Sequence, residues 1–136
     1  MPDFTFKKEE RLKSKKVLSQ LFSKGSSFSA YPIRVVWMPI VPAQGNSPAQ
    51  MALSVPRKKF NKAAHRNVLR RRIREAYRLN KHLLYSELAD CQHQYGFMLI
   101  YIAKEALPFD KIESAVKIII KRLSKDIIKK DATLEE

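Results

Sequence analysis

Cysteine is nearly absent: Cys91 is the one such residue among 136. This excludes an internal disulfide and a thiolate cage around a metal within one chain. No apolar run approaches the roughly 20 residues of a bilayer span, and Met1 to Arg11 lacks the apolar core of a secretory signal. A cytoplasmic chain with no membrane partner is therefore expected. Acids are scarce as well, with 13 Asp and Glu against 27 Lys and Arg and a formal net charge of +14. Such a surplus calls for a polyanionic partner, nucleic acid ahead of an anionic membrane surface.

The few acids do not gather. Asp3, Glu9, Glu10, Glu75, Glu87, Asp90, Glu105, Asp110 and Glu113 are scattered, without the spacing of a carboxylate cluster for paired metal ions. His82, Cys91 and His93 can be drawn as a metal trio, but two ligands in one short loop without a fourth make a weak site. His65, at a helix start, reads better as a hydrogen-bond or phosphate contact than as an acid or base. We expect no catalytic residue and no metal ligand in the chain.

What is present suffices for one core, with 45% hydrophobic and 10% aromatic residues in a chain of single-domain length. Ser14 caps a helix over about 14–24, with Val17, Leu18, Leu21 and Phe22 at helical spacing and Gly25 placed for a left-handed C-terminal residue. After a turn at Ser26-Ser27, Phe28 to Met38 reads as a half-buried strand stopped by Pro39 and Pro42. Pro39 to Pro48 is a loop between antiparallel strands, and Met51 to Val55 returns. Asn67 to about Ser86 contains no Pro or Gly and places Leu69, Ile73, Ala76, Tyr77, Asn80 and Leu84 on one face of a long helix. Phe97 to Ala103 is a continuous apolar run, expected as a central strand. Pro108 and Asp110 open a last helix with an apolar stripe from Ile112 to Ile127. The fold class is α+β, a mainly antiparallel sheet with packed helices in the order α-β-β(-β)-α-β-α. Residues 1–136 form a single domain, with frayed termini expected at about 1–8 and 129–136.

Charge concentrates in one stretch. Arg57 to Lys81 holds eleven basic residues against one acid, Glu75. Arg66, Arg70, Arg74, Arg78 and Lys81 recur at steps of three and four, opposite Leu69, Ile73 and Tyr77, and Arg71 broadens the face. Like charges at this spacing repel by some tenths of a kcal/mol per pair, so an external anion is expected to compensate. Arginine predominates, and its planar fork suits phosphate. A membrane-surface helix would keep its apolar residues for lipid, whereas these serve the core. A DNA module of helix-turn-helix type lacks its short-turn partner helix. A general or ribosomal RNA-binding protein remains a rival on composition.

The run His65-Arg66-Asn67-Val68-Leu69-Arg70-Arg71-Arg72-Ile73-Arg74-Glu75-Ala76-Tyr77-Arg78 resembles the Arg-Asn-Arg signature helix of the bacterial ribonuclease P protein-subunit family. Arg11-Leu12-Lys13, Phe22 with Gly25, and Leu53-Ser54-Val55 before Arg57-Lys58-Lys59 extend the resemblance over nearly the whole chain. Val68 departs from it, standing where the family usually has its third signature arginine. The resemblance implies a ribosomal-protein-S5-domain-2-like fold with a left-handed βαβ crossover, against the usual right-handed rule. It also implies a subunit that assists a catalytic RNA in removing the 5′ leader of precursor tRNA, with Mg²⁺ held mainly by the RNA. By residue, it implies RNA contacts from Arg57, Lys58, Lys59, Arg66, Asn67, Arg70, Arg71 and Arg74. A leader cleft would be formed by Leu18, Phe22 and Val36. Strand alternation leaves open which face Trp37 and Tyr31 occupy.

Overall fold

Alternation within the strands decides the layering. The computed structural model describes residues 4–134, in which a short 3-10 turn at Lys8–Glu10 precedes α1 (Lys15–Lys24), β1 (Ser26–Ala30), β2 (Ile33–Ile40), β3 (Ala49–Ser54), α2 (Ala63–Glu87), β4 (Gln94–Tyr101) and α3 (Phe109–Leu134). The strands form one sheet in the order β1-β2-β4-β3. Ile33, Val35 and Trp37 pack in the main core with Phe97, Leu99, Leu69, Ile73 and Ile119, so this sheet face is covered by α2 and α3. Val36 and Ile40 point the other way, into a smaller core with Leu12, Val17 and Leu21 beneath α1. Trp37 is therefore core, whereas Tyr31, between β1 and β2, is exposed.

The α+β class and the element order hold, and several local expectations give way. Ser26 and Ser27 do not turn; they begin β1, and the expected single strand splits at Tyr31-Pro32 into a β1–β2 hairpin. Pro39 does not stop β2. The pairing of β1 ends at Trp37, so beyond it β2 is an edge facing only β4, and a missing N–H costs no ladder bond on the open side.

Strands β2 and β3 are not neighbours either. Strand β4 lies between them, antiparallel to β2 and parallel to β3, with α2 as the crossover. An apolar strand buried from both sides takes the centre of a sheet, and its Tyr95, Phe97, Leu99 and Tyr101 are all buried.

Gly25 is not left-handed, since its φ is −77°. Closeness is what requires glycine there: a Cβ would stand 2.3 Å from the Leu21 carbonyl oxygen and 2.8 Å from Val36 Cγ1.

The described residues near each end of the chain pack against the fold in segments where the sequence predicts fraying. Phe6 stacks edge-on against Tyr77, with ring centroids 5.9 Å apart, and the Phe4 carbonyl accepts a hydrogen bond from Arg78. Helix α3 runs to Leu134 because Asp131 is a buried clasp. Its carboxylate accepts from the backbone N–H of Gln92 (2.8 Å) and of His93 (3.1 Å) and from the Tyr95 hydroxyl (2.9 Å). Burial pushes this carboxyl up, but the donors from Gln92, Tyr95 and His93 outweigh it and hold the pKa below the usual range. Residues 1–3 and 135–136, part of the same expectation, lie outside the described residues.

Candidate nucleic-acid interface

Helix α2 carries its charge in two different environments. At its start, Arg66 is buried and donates through Nη1 to the carbonyls of Phe60 (2.8 Å) and Asn61 (3.0 Å). These carbonyls belong to the segment that leads into the helix from β3. The predicted RNA ligand Arg66 is therefore a clamp on the preceding loop, its guanidinium spent on backbone acceptors. Arg72 is likewise engaged, donating to the Leu107 carbonyl at 2.7 Å and fixing the approach to α3.

The far end of the helix is tied down. Lys81 is 2% exposed and is held by the Glu10 carboxylate and the Thr5 carbonyl. Glu10 also accepts from the Tyr85 hydroxyl at 2.7 Å and the Lys7 N–H at 2.6 Å. Burial raises the Glu10 pKa, but Lys81, Lys7 and Tyr85 more than compensate and hold it below the ordinary value. Arg78 pairs with Glu75, at 2.5 Å and 3.0 Å. The continuous basic face expected from Arg66 to Lys81 is thus shortened at both ends. Steps of three and four place side chains around a helix, but they do not say which neighbouring element covers them.

Asn67, Arg70, Arg71 and Arg74 stay on the outer surface, and Arg70 donates to Asn67 Oδ1 at 3.3 Å. Arg71 and Arg74 have no hydrogen-bond or ion-pair partner among the described residues. Arg57 and Lys58, exposed in the turn between β3 and α2, are in the same condition. Lys59 is exposed too, with its Nζ on the Ile102 carbonyl at 2.6 Å. The strand end and the first half of α2 make a strip of cations without anions, the electrostatic footprint of a polyanion-binding surface.

A shallow depression of about 240 Å³, lined by Arg11, Lys13, Ala52, Leu53 and Arg74 among others, connects this strip to the other sheet face. There α1 leaves part of the sheet uncovered. Leu18, Met38, Ala52, Met98 and Ile100 are only partly buried, and Phe22 is 63% exposed. A large aromatic left in solvent beside partly open apolar strands is a stacking platform in chemical terms. Val36 is not part of it: at 3% exposure it lies packed in the core beneath α1. The sequence could not make this distinction, since both Val36 and Phe22 belong to apolar patterns.

The Ribonuclease P family pattern matches residues 6–124 of this chain. The chain belongs to the ribonuclease P protein family. Two curated relatives, the ribonuclease P protein components of Porphyromonas gingivalis strains W83 and ATCC 33277, are each 32% identical to it, covering 93% and 91% of this chain and 91% and 90% of their own length. The fold is shared with the ribonuclease P protein of Thermotoga maritima (TM-score 0.64, 24% identity, 83% of this chain and 96% of that one). It is also shared with a ribonuclease P protein variant of Staphylococcus aureus (TM-score 0.65, 19% identity, 85% and 89% coverage). The family places the chain as a protein subunit of an endoribonuclease ribonucleoprotein, with RNA as its partner.

The family's signature segment lies in the first half of α2, where Arg66 is buried while Asn67 and Val68, the latter at the third signature position and 36% exposed, face outward. His82, Cys91 and His93 do not converge. His82 packs on Phe4, and the His93 ring is bound to Asp131. Among the described residues, no three His, Cys, Asp or Glu side chains are grouped to hold a metal ion. No described helix is long and apolar enough to cross a membrane.

Proposed function

We propose that this subunit binds the catalytic RNA of ribonuclease P through the cation strip and the 5′ leader of precursor tRNA through the open sheet face, promoting cleavage that leaves the mature 5′ end. The observation that carries this reading is the unpaired state of Arg57, Lys58, Arg71 and Arg74 on a surface shared by the β3–α2 turn and the signature helix. Each phosphate that such a side chain neutralises releases counterions and steepens the salt dependence of binding. Asn67 and Arg70 complete the strip, and Lys59 borders it. Arg66 acts indirectly, holding the turn that presents Arg57 and Lys58.

Leu18 and Phe22 form the apolar side of the leader cleft. Stacking of unpaired bases on an exposed ring tolerates many sequences, as a subunit serving many precursors requires. The Mg²⁺ of the reaction is held mainly by the RNA, and the protein contributes binding and charge neutralisation. The site of action is the cytoplasm.

The test is reconstitution. Purified protein, a bacterial ribonuclease P RNA and a leader-bearing precursor tRNA are combined at low Mg²⁺, with protein alone and the Arg71→Ala/Arg74→Ala variant as controls. Cleavage that needs both components and is lost in the variant supports the proposal. Protein that binds a cognate RNA yet never stimulates cleavage sinks it.

A further inference from the structure

Helices α2 and α3 run in the same direction over the main core, with Asn80 bonded to Glu113 at 3.1 Å and, just past the end of α2, the Gln92 N–H bonded to Asp131 at 2.8 Å. Their C-terminal parts leave a groove between them. Two cavities, of about 420 Å³ and 460 Å³, share Ser86 and Glu87 and so join end to end. On α3 the groove extends from Lys117 to Ala132, about 22 Å of helix.

Aliphatic surface lies open in it. Leu83 is 47% exposed and Ile128 is 42% exposed, while their sequence neighbours Leu84 and Ile127 are the residues that fill the core. One aliphatic residue in solvent is ordinary. Two that line a single concave surface rimmed by charge mark a protein contact site.

The charges on the two walls are of opposite sign and stay apart. Lys117, Lys121 and Lys125 follow one another at steps of four along the α3 wall, where like charges repel. Glu87 and Asp90 stand on the other wall, at and just beyond the end of α2. None of these five side chains has a hydrogen-bond or ion-pair partner among the described residues. A body lying between the walls can satisfy both signs at once.

We infer that this groove takes an amphipathic helix of a protein partner, its apolar stripe on Leu83 and Ile128, its acids along the lysines of α3 and its bases toward Glu87 and Asp90. The walls argue against other occupants. Nucleic acid would set phosphates against Glu87 and Asp90 and would find an aliphatic floor in place of rings to stack on. A second copy offers no helix with an acidic flank, since α1 contains no acid, α2 has only Glu75 and Glu87, and α3 is itself the lysine wall. The groove uses the C-terminal half of α2 and the cation strip its N-terminal half, so the two surfaces can be occupied together. The inference is independent of the proposed RNA binding.

The probe is a fluorescent, net-neutral peptide of about five helical turns, with leucines at steps of three and four, glutamates along one flank and lysines along the other. Neutrality removes the general attraction of a chain of net charge +14. A peptide of the same composition, scrambled so that it has no stripe, is the control. In anisotropy titrations the full chain is expected to bind the amphipathic peptide at least about tenfold more tightly than the control. Leu83→Asp and Lys117→Glu/Lys121→Glu are each expected to remove that difference, and Lys15→Glu/Lys16→Glu, the same change of charge on α1, to keep it. Equal affinity for the two peptides, or a difference that survives either groove variant, overturns the inference.

Two further readings identify the occupant. A saturating bacterial ribonuclease P RNA is expected to leave the peptide's affinity within about twofold, and the chain alone is expected to sediment as a monomer. Displacement of the peptide by the RNA would make the groove a nucleic-acid surface. A concentration-dependent dimer that Leu83→Asp abolishes would make it a contact between copies. Either result overturns the protein partner.

Discussion

The two halves of α2 use the same residue types for opposite ends. In the C-terminal half, Lys81 is inside the protein, paired with Glu10, and Arg78 is bound to Glu75 and the Phe4 carbonyl. In the N-terminal half, Arg66 and Arg72 are bound to backbone carbonyls, but Arg71 and Arg74 face outward with no partner among the described residues. The N-terminal segment makes the difference, since it folds back over the second half and supplies both carboxylate and carbonyls. A cation on an amphipathic helix therefore belongs to folding or to binding according to what packs on it, and sequence spacing alone does not distinguish the two.

Removing the buried cation gives the largest effect on stability. Lys81→Met leaves Glu10 charged and buried beside only Tyr85 and backbone, and a loss of about 3–5 kcal/mol is expected in denaturant unfolding. Replacing both partners, as in Glu10→Leu/Lys81→Met, is expected to recover much of that loss, since a buried ion pair replaced by apolar volume is often neutral. A double variant as unstable as the single one would show that the pair holds the N-terminal segment by more than its own charge balance.

Arg66→Ala comes next, with an expected loss of about 1–3 kcal/mol as the Phe60 and Asn61 carbonyls lose their donor. Stability unchanged in this variant, with RNA affinity reduced, would return Arg66 to the binding strip.

Acid then separates the clasps from the strip. The pKa values of Glu10 and Asp131 are lowered from the ordinary 4.5 and 3.8, so each contributes stability that is present above those values and lost as pH falls through the lowered folded pKa. The unfolding midpoint should therefore fall below about pH 4.5. Asp131→Asn should make that fall shallower while costing stability at neutral pH. Equal steepness in the variant would remove Asp131 from the acid response.

The smallest effect on stability is expected from Arg71→Ala/Arg74→Ala, within about 0.5 kcal/mol, because the surface side chains hold nothing in place. In the same variant the slope of log affinity against log salt should fall by about 2, one for each phosphate no longer neutralised. Titration of catalytic RNA over a range of salt concentrations reads it directly. A large stability loss together with an unchanged slope would invert the contrast between the two halves of the helix.

Much of the architecture is legible because it follows from local pattern. Ser14 accepts from the Val17 N–H at 3.3 Å as a cap should. The apolar faces of α2 and α3 are those that spacing marks, and Phe97, Leu99 and Tyr101 are buried in a central strand. The departures have a common cause. That β4 separates β2 from β3 depends on a crossover joining strands distant in sequence, and no turn signal records it. Backbone freedom is the usual reason for a glycine in the place of Gly25, while the constraint here is the close approach of the Leu21 carbonyl and of Val36 from another strand. The docked termini depend on partners far along the chain: Lys81 for the residues around Thr5, Gln92 and His93 for Asp131.

The candidate surface divides along the same line. Its composition and family signature are legible, and Asn67, Arg70, Arg71 and Arg74 lie where the pattern places them. Arg66 and Val36 leave the surface, since burial of one residue is decided by the element packed on it.

By itself the sequence determined the polyanion partner, through its charge, and the helices and strands, through periodicities set by backbone geometry. Only the tertiary structure decided which cations remain free. A charge is available to RNA when no carboxylate or carbonyl from elsewhere in the chain has reached it first, and that depends on distances between residues far apart in sequence.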